Sequence, residues 1–243
     1  MKQQISLWLK EKVLAHYLIP FSRVGVDGSL LRWIRPDQPI NLVDAGASEG
    51  SFTSSIEKYC GVKHGLLIEP LPDRFRELQR KFLPPQFDVI NCALSAENHR
   101  SEMNVLNWDF SSSLLKVIPQ VGAVGDLVDL RTKERIAVDV RTLDTALEQI
   151  GWSGPIDLLK LDLQGAELLA LNGTLQSLNL VRLIWTEVSF RPLYDGSATF
   201  DAVFEFLVER GYALAGLQEG LRGKSGELLQ ADALFCRSTA LST

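Results

Sequence analysis

Along this chain, short apolar runs alternate with segments whose apolar residues recur at helical spacing. Ile40-Asn41-Leu42-Val43 is a compact run of the kind that forms a buried strand, and residues 51–57 have the composition of the first turns of a helix. Residues 64–70 repeat the strand pattern. In 73–82 that follow, Phe75, Leu78 and Phe82 fall on one helical face. Pro84-Pro85 ends that helix, and 87–94 reads as a third strand. After a break in the middle, the alternation resumes with a helix at 143–150, a fourth strand at 156–162 and a helix at 166–172 capped by Gly173. A fifth strand at 180–187 and a helix at 200–210 follow. The last two strands, 212–217 and 233–236, flank a stretch holding Gly220, Gly223 and Gly226, which predicts an antiparallel hairpin. Strands alternating with helices in this way predict a parallel sheet covered on both faces.

The middle departs from the rule. Residues 103–108 and 136–140 have strand character, and between them lie 109–113 and a Gly/Val segment at 121–125. This predicts a hairpin-like insertion carrying a long loop, and long loops in compact domains tend to be functional or disordered. The economical organisation is one domain, residues 40–243, preceded by an amphipathic helical extension over 1–39.

Composition narrows the class. In 243 residues, hydrophobic side chains make up 46% and charged ones 23%, close to globular averages. No apolar run approaches the roughly 20 residues that cross a bilayer, so no membrane span is expected. The charged N-terminus lacks the apolar stretch of a signal peptide, and a cytoplasmic location is the expectation. The net charge of −5 comes with no basic run, which argues against a nucleic-acid partner. Cys60, Cys92 and Cys236 match neither a disulfide framework nor a zinc spacing, and His16, His64 and His99 form no metal-ligand pair, so no metal is expected.

The richest local signal is Val43-Asp44-Ala45-Gly46-Ala47-Ser48-Glu49-Gly50, which carries a strand through a glycine turn into a helix. Gly46 and Gly50 are expected to let the backbone pass close to a ligand. A dinucleotide fingerprint would read Gly-x-Gly-x-x-Gly. Here Ser48 takes the place of the middle glycine, and Asp44 and Glu49 flank the turn. Two carboxylates repel a pyrophosphate and suit a cationic cofactor such as S-adenosylmethionine. In an open parallel sheet, ligands bind beyond the carboxyl ends of the strands. Glu69, Asp162 and Glu187 end the second, fourth and fifth strands, and Glu69 is placed to accept hydrogen bonds from both ribose hydroxyls of an adenosine.

These segments, with Ile68-Glu69-Pro70, Val140-Arg141-Thr142-Leu143-Asp144, residues 159–167, Asn172-Gly173 and Glu187, resemble the FkbM family of S-adenosylmethionine-dependent methyltransferases over roughly residues 40 to 237. The resemblance implies a class I methyltransferase fold: a Rossmann-like, doubly wound α/β sheet of seven mainly parallel strands, the last antiparallel and inserted between the fifth and sixth. It implies that Asp44, Gly46 and Gly50 hold the methionine part of the cofactor, that Glu69 binds the ribose, and that Asn91 and Ala93 lie by the adenine; Ser48 in the same turn is expected to hydrogen-bond the cofactor as well. The family acts mainly on hydroxyls of sugars, polyketides and related metabolites, so the implied partner is a small-molecule or glycan acceptor. Two positions depart from the family pattern: Ser48 stands where Asn or His is usual, and Gln164 where Glu is usual.

An alcohol is a poor nucleophile unless its proton leaves as the new bond forms. Asp162 is the first candidate base and Glu187 the second. Lys160 lies two residues before Asp162, on the same side of the strand, to pair with a carboxylate or orient the acceptor. Trp108, Ser112, Arg191 and Tyr194 are candidate acceptor-binding residues. N-methylation stays open, as do a nicotinamide-dependent oxidoreductase and a cofactor-binding module without catalysis.

Overall fold

The computed structural model describes residues 28–106, 112–118, 132–223 and 225–238. In chain order its strands and helices are β1 (Ile40–Ala45), α1 (Ser51–Tyr59), β2 (Val62–Ile68), α2 (Pro72–Lys81), β3 (Phe87–Ile90), β4 (Ala93–Leu94), β5 (His99–Leu106), β6 (Thr132–Arg141), α3 (Leu143–Gln149), β7 (Ile156–Leu161), α4 (Glu167–Asn172), β8 (Val181–Ser189), α5 (Phe200–Glu209), β9 (Tyr212–Glu219) and β10 (Gln230–Arg237).

Seven strands form one sheet in the order β3-β2-β1-β7-β8-β10-β9. Neighbours from β3 to β8 are parallel, while β10 runs antiparallel to both β8 and β9. The final strand therefore sits between the fifth and sixth strands of this sheet, which is the class I methyltransferase arrangement that the resemblance implies. Period-two alternation divides the strands between two cores. Val43, Leu66, Ile68, Leu159 and Leu161 face α3, α4 and α5. Leu42, Leu67, Leu158 and Leu183 face α1 and α2. Both faces are covered, so central strands read as continuous apolar runs rather than alternating ones.

Leu30 and Ile34 also belong to the second core and are fully buried. The described part of the N-terminal extension, which includes a 3-10 turn at Leu30–Arg32, is thus packed into the domain. The expected helix over the rest of the extension falls on residues 1–27, outside the described residues. Among the described residues, no helix is long and apolar enough to cross a membrane.

The expected third strand over 87–94 is two elements. β3 stops at Ile90, and Asn91 turns the chain by donating its amide to the carbonyls of Glu69 and Pro70, at 2.8 and 2.9 Å. β4 then leaves the main sheet and joins a second, β4-β6-β5, in which β5 and β6 form the expected insertion hairpin. Ala93, Met103, Val138 and Val140 make its small core. The Gly/Val segment at 121–125 lies outside the described residues.

Candidate active site

The turn after β1 is built by the main chain. The N–H groups of Gly46 and Ala47 both donate to the carbonyl of Ile68, at 3.0 and 3.1 Å, and the N–H of Asp162 donates to the carbonyl of Ala45 at 3.1 Å. The ends of β1, β2 and β7 are thereby locked together. Gly46, Ser48 and Gly50 all have left-handed backbones, with φ of 75°, 49° and 71°. A Cβ at Gly46 would overlap the carbonyl oxygen of Asp162, and one at Gly50 would enter the Phe82 ring. The glycines therefore make room for the protein itself, and Gly46 also lines the cleft. Ser48 has no such excuse: an L-residue there costs roughly 1–2 kcal/mol, offset by the bond from its N–H to Glu69 Oε2 at 2.8 Å.

Asp44 is fully buried beneath this turn. Its Oδ2 accepts from the Thr53 hydroxyl at 2.6 Å. Its Oδ1 receives no directed hydrogen bond and is compensated by the Lys160 ammonium 3.2 Å away. Lys160 Nζ donates to the carbonyl of Gly46 at 2.9 Å and lies 3.4 Å from Asp162 Oδ2. Burial opposes its charge, but Asp44 and Asp162 outweigh burial and hold the ammonium above its ordinary range. Glu49 is exposed and paired with Arg74 at 2.5 Å. Neither acid flanking the turn lines the cleft; Glu69 and Asp162 do.

That cleft has a volume of about 750 Å³ including space open to solvent, and Ile68, Ala93, Leu94, Met103, Leu114 and Ala166 supply its apolar wall. Glu69 is 4% exposed, and each carboxylate oxygen takes one main-chain N–H, from Ser48 and from Leu71. Burial raises its pKa, and those two bonds offset part of the rise. Each oxygen retains a lone pair for a hydroxyl donor. An apolar slot, a carboxylate with acceptor capacity left over, and a second carboxylate across the cleft fit the base, ribose and cationic end of S-adenosylmethionine. Ala93 stands on the wall. Asn91 does not, since its amide braces the turn after β2.

On the other side of the turn, Asp162 keeps 42% of its side chain exposed. Gln164 donates through Nε2 to Asp162 Oδ1 at 2.8 Å, with Glu187 Oε2 3.5 Å from the same nitrogen. The Tyr194 hydroxyl donates to Gln164 Oε1 at 2.7 Å, so the amide presents its oxygen to Tyr194 and its nitrogen to the acids. Ser113 donates to the Gln164 carbonyl at 2.7 Å. Gln164 itself is left-handed, with φ of 53°.

Glu187 is partly buried in this cluster, and desolvation, with Asp162, Glu167 and Asp232 nearby, raises its pKa well above the ordinary carboxylate range. Glu167, at the start of α4, accepts from the N–H groups of Leu163 and Gly165 at 2.8 and 3.2 Å, and burial pushes it up to about 7. Glu187 is not among the residues of the cleft wall, whereas Asp162 is. Glu167 carries no expected role in the sequence, although a Glu at the start of a helix just after a glycine turn is a recognisable capping signal. Tyr194 reaches the site through its bond to Gln164 and does not line the cleft. Arg191 is exposed and off the cleft wall, and Trp108 lies outside the described residues. Among the described residues, no group of three His, Cys, Asp or Glu side chains is arranged to hold a metal ion.

Comparison with known proteins follows the same direction. Residues 44–214 match the family described as Methyltransferase FkbM domain. The chain is 25% identical over 196 residues to the 2-O-methyltransferase NoeI of Sinorhizobium fredii, covering 77% of this chain and 79% of that one. A crystal structure of Methyltransferase FkbM from Methylobacillus flagellatus KT overlaps 81% of this chain at 17% identity and a TM-score of 0.48, and this chain spans 43% of that chain. Magnesium protoporphyrin IX methyltransferase from Synechocystis PCC 6803, solved with S-adenosylmethionine bound, overlaps 83% of this chain and 71% of its own at 11% identity and a TM-score of 0.46.

Proposed function

Because the chain belongs to the FkbM methyltransferase family and so uses S-adenosylmethionine, we propose that it methylates a hydroxyl of a small molecule or glycan, with Asp162 as the general base. The nicotinamide alternative falls with the family assignment. The observation that carries the proposal is Asp162 itself: the one carboxylate at this end of the sheet that is both on the cleft wall and open to solvent among the described residues. The name of the relative NoeI, a 2-O-methyltransferase, points the same way.

The cofactor supplies an electrophilic methyl on a sulfonium. Everything else is positioning and proton handling by the chain. Lys160 places a positive charge 3.4 Å from Asp162 Oδ2 and helps hold that carboxylate in place. Gln164 holds the other oxygen and sets the rotamer of Asp162. An acceptor hydroxyl hydrogen-bonded to Asp162 is then oriented toward the cleft and loses its proton as its oxygen becomes the nucleophile. Holding two reactants in such a geometry supplies much of the rate of a displacement. Met103 and Leu114 keep the wall apolar and limit water that would compete for the methyl. In the same reading the catalytic domain spans 40–243, with the preceding residues as an extension.

The test is a labelled-methyl screen over glycans and hydroxylated metabolites, with Asp162→Asn as control. We expect transfer to an oxygen and a loss of about 100-fold or more in the variant, in line with general-base catalysis. S-adenosylhomocysteine affinity should stay within about threefold, since a neutral amide preserves the local packing. A variant that methylates as fast as the wild type rules Asp162 out as base.

A further inference from the structure

Two side-chain hydrogen bonds in series join the loop after β8 to Asp162. The Tyr194 hydroxyl donates to Gln164 Oε1 at 2.7 Å, and Gln164 Nε2 donates to Asp162 Oδ1 at 2.8 Å. The fold fixes both of the residues that lead to Asp162. A strap over residues 112–118 holds the Tyr194 loop: Ile118 N–H donates to the Leu193 carbonyl at 2.9 Å, and Asp195 N–H donates to that of Lys116 at 2.7 Å. The same strap holds Gln164, whose carbonyl accepts from the Ser113 hydroxyl at 2.7 Å, while Ser112 beside it lies on the cleft wall. Gln164 has a left-handed backbone, with φ of 53°, a conformation that persists in an L-residue where its surroundings over-determine it. Gly165 completes the fit. A Cβ there would lie 2.9 Å from the Tyr194 ring, so the glycine lets the ring rest against the turn.

Tyr194 is 5% exposed and off the cleft wall, whereas Gln164 and Asp162 both line it. A side chain in that place acts on the reaction through its neighbour. An amide has one accepting end and one donating end, and a hydroxyl that donates to Oε1 leaves Nε2 for Asp162. We propose that Tyr194 is a positioning residue for methyl transfer: its hydroxyl orients the Gln164 amide, which in turn holds the Asp162 carboxylate, in place of the direct acceptor contact that the sequence suggests. The inference rests on Asp162 being the base. Without the hydroxyl, the amide loses the bond that sets which end faces Asp162, and Oδ1 loses its steady donor. Asp162 keeps 42% of its side chain exposed, so that donor is a main restraint on its rotamer, with Lys160 at the other oxygen. A displacement geometry tolerates little movement of the group that holds the nucleophile.

The test is a double-variant cycle on Tyr194→Phe and Gln164→Met. One arm reads turnover with the best acceptor of the labelled-methyl screen. The other needs no acceptor and follows the Gln164 side-chain amide in nitrogen–proton correlation spectra, its signal assigned by its loss in Gln164→Met. Tyr194→Phe keeps the ring and should lower kcat by about tenfold, with the acceptor KM and S-adenosylhomocysteine affinity within about threefold of wild type. Gln164→Met should lower kcat at least as far, and the double variant no further than Gln164→Met alone, because the hydroxyl acts through that amide. The Gln164 amide protons should exchange with solvent at least about tenfold faster in Tyr194→Phe. Unchanged exchange overturns the proposal. So do losses that add in the double variant or fall on the acceptor KM, which would make Tyr194 an acceptor contact, and so does lost S-adenosylhomocysteine affinity, which would make it a general support of the fold. Failure of the base assignment shows separately, as wild-type turnover in Asp162→Asn.

Discussion

Replacing Lys160 with Met tests whether one buried cation holds the cofactor turn together. The ammonium lies 3.2 Å from Asp44 Oδ1 and 3.4 Å from Asp162 Oδ2, and it donates to the Gly46 carbonyl at 2.9 Å. Asp44 is fully buried, with the Thr53 hydroxyl as its remaining donor, so the variant leaves a carboxylate in the core without a counter-charge. Breaking a buried pair from one side costs about 3–5 kcal/mol. At roughly 2–4 °C per kcal/mol for a domain of this size, the melting temperature should fall by about 6–20 °C. Scanning calorimetry at neutral pH reads that directly, and S-adenosylhomocysteine titration should show binding weakened by more than about tenfold as the Gly46 turn loosens. The decisive arm is the double variant Asp44→Asn/Lys160→Met. It removes both charges while the amide oxygen still accepts from Thr53, so it should recover at least half of the lost stability. The electrostatic account is refuted if Lys160→Met shifts the melting temperature by less than about 2 °C, or if the double variant is as unstable as the two singles added together.

Three further outcomes follow from the same geometry. Gly46→Ala should abolish cofactor binding and lower stability, because its methyl overlaps the Asp162 carbonyl and the left-handed φ is kept; a wild-type melting curve with intact binding contradicts the packing account. Glu167 has a pKa raised from 4.5 to about 7, so the stability linked to its proton is fully present below about pH 4.5 and is lost as pH rises through about 7. Relative to Glu167→Gln, the wild type should therefore lose stability across that window in denaturant titrations, and a pH-independent difference removes the reason for assigning Glu167 a proton. Gln164→Glu would put a third acid against Asp162 and Glu187 and lose the amide donor. We expect the acid limb of the activity profile to move to higher pH, and an unmoved limb means that the amide does not set the charge of the site.

Some of this was legible in the residues and some was not. The strand–turn–helix at Asp44, the strand-end acids and the closing hairpin are local patterns, and they emerge where expected. Roles read from charge alone came out differently. Asp44 and Glu49 look alike beside the turn, yet one is buried against Lys160 and Thr53, and the other is exposed against Arg74. Gly46 and Gly50 were readable as glycines of a ligand loop, but what approaches them is Asp162 and Phe82, brought from β7 and the end of α2 by the sheet order. The third strand ran too long because apolar residues at Ala93 and Leu94 are equally at home in a second sheet. Only the pairing with β6 distinguishes the two.

The chain's own pattern therefore determined the elements, their order and the doubly wound class, since hydrophobic periodicity acts over a few residues and needs no distant partner. Tertiary structure decided which acid lines the cleft, which lies buried beneath the turn and which have their pKa raised by burial. Those properties depend on burial and on charges drawn from strands far apart in sequence: Lys160 between Asp44 and Asp162, and Glu187 among Asp162, Glu167 and Asp232. Desolvation and Coulomb energy act between groups in space, so no reading along the chain can assign them.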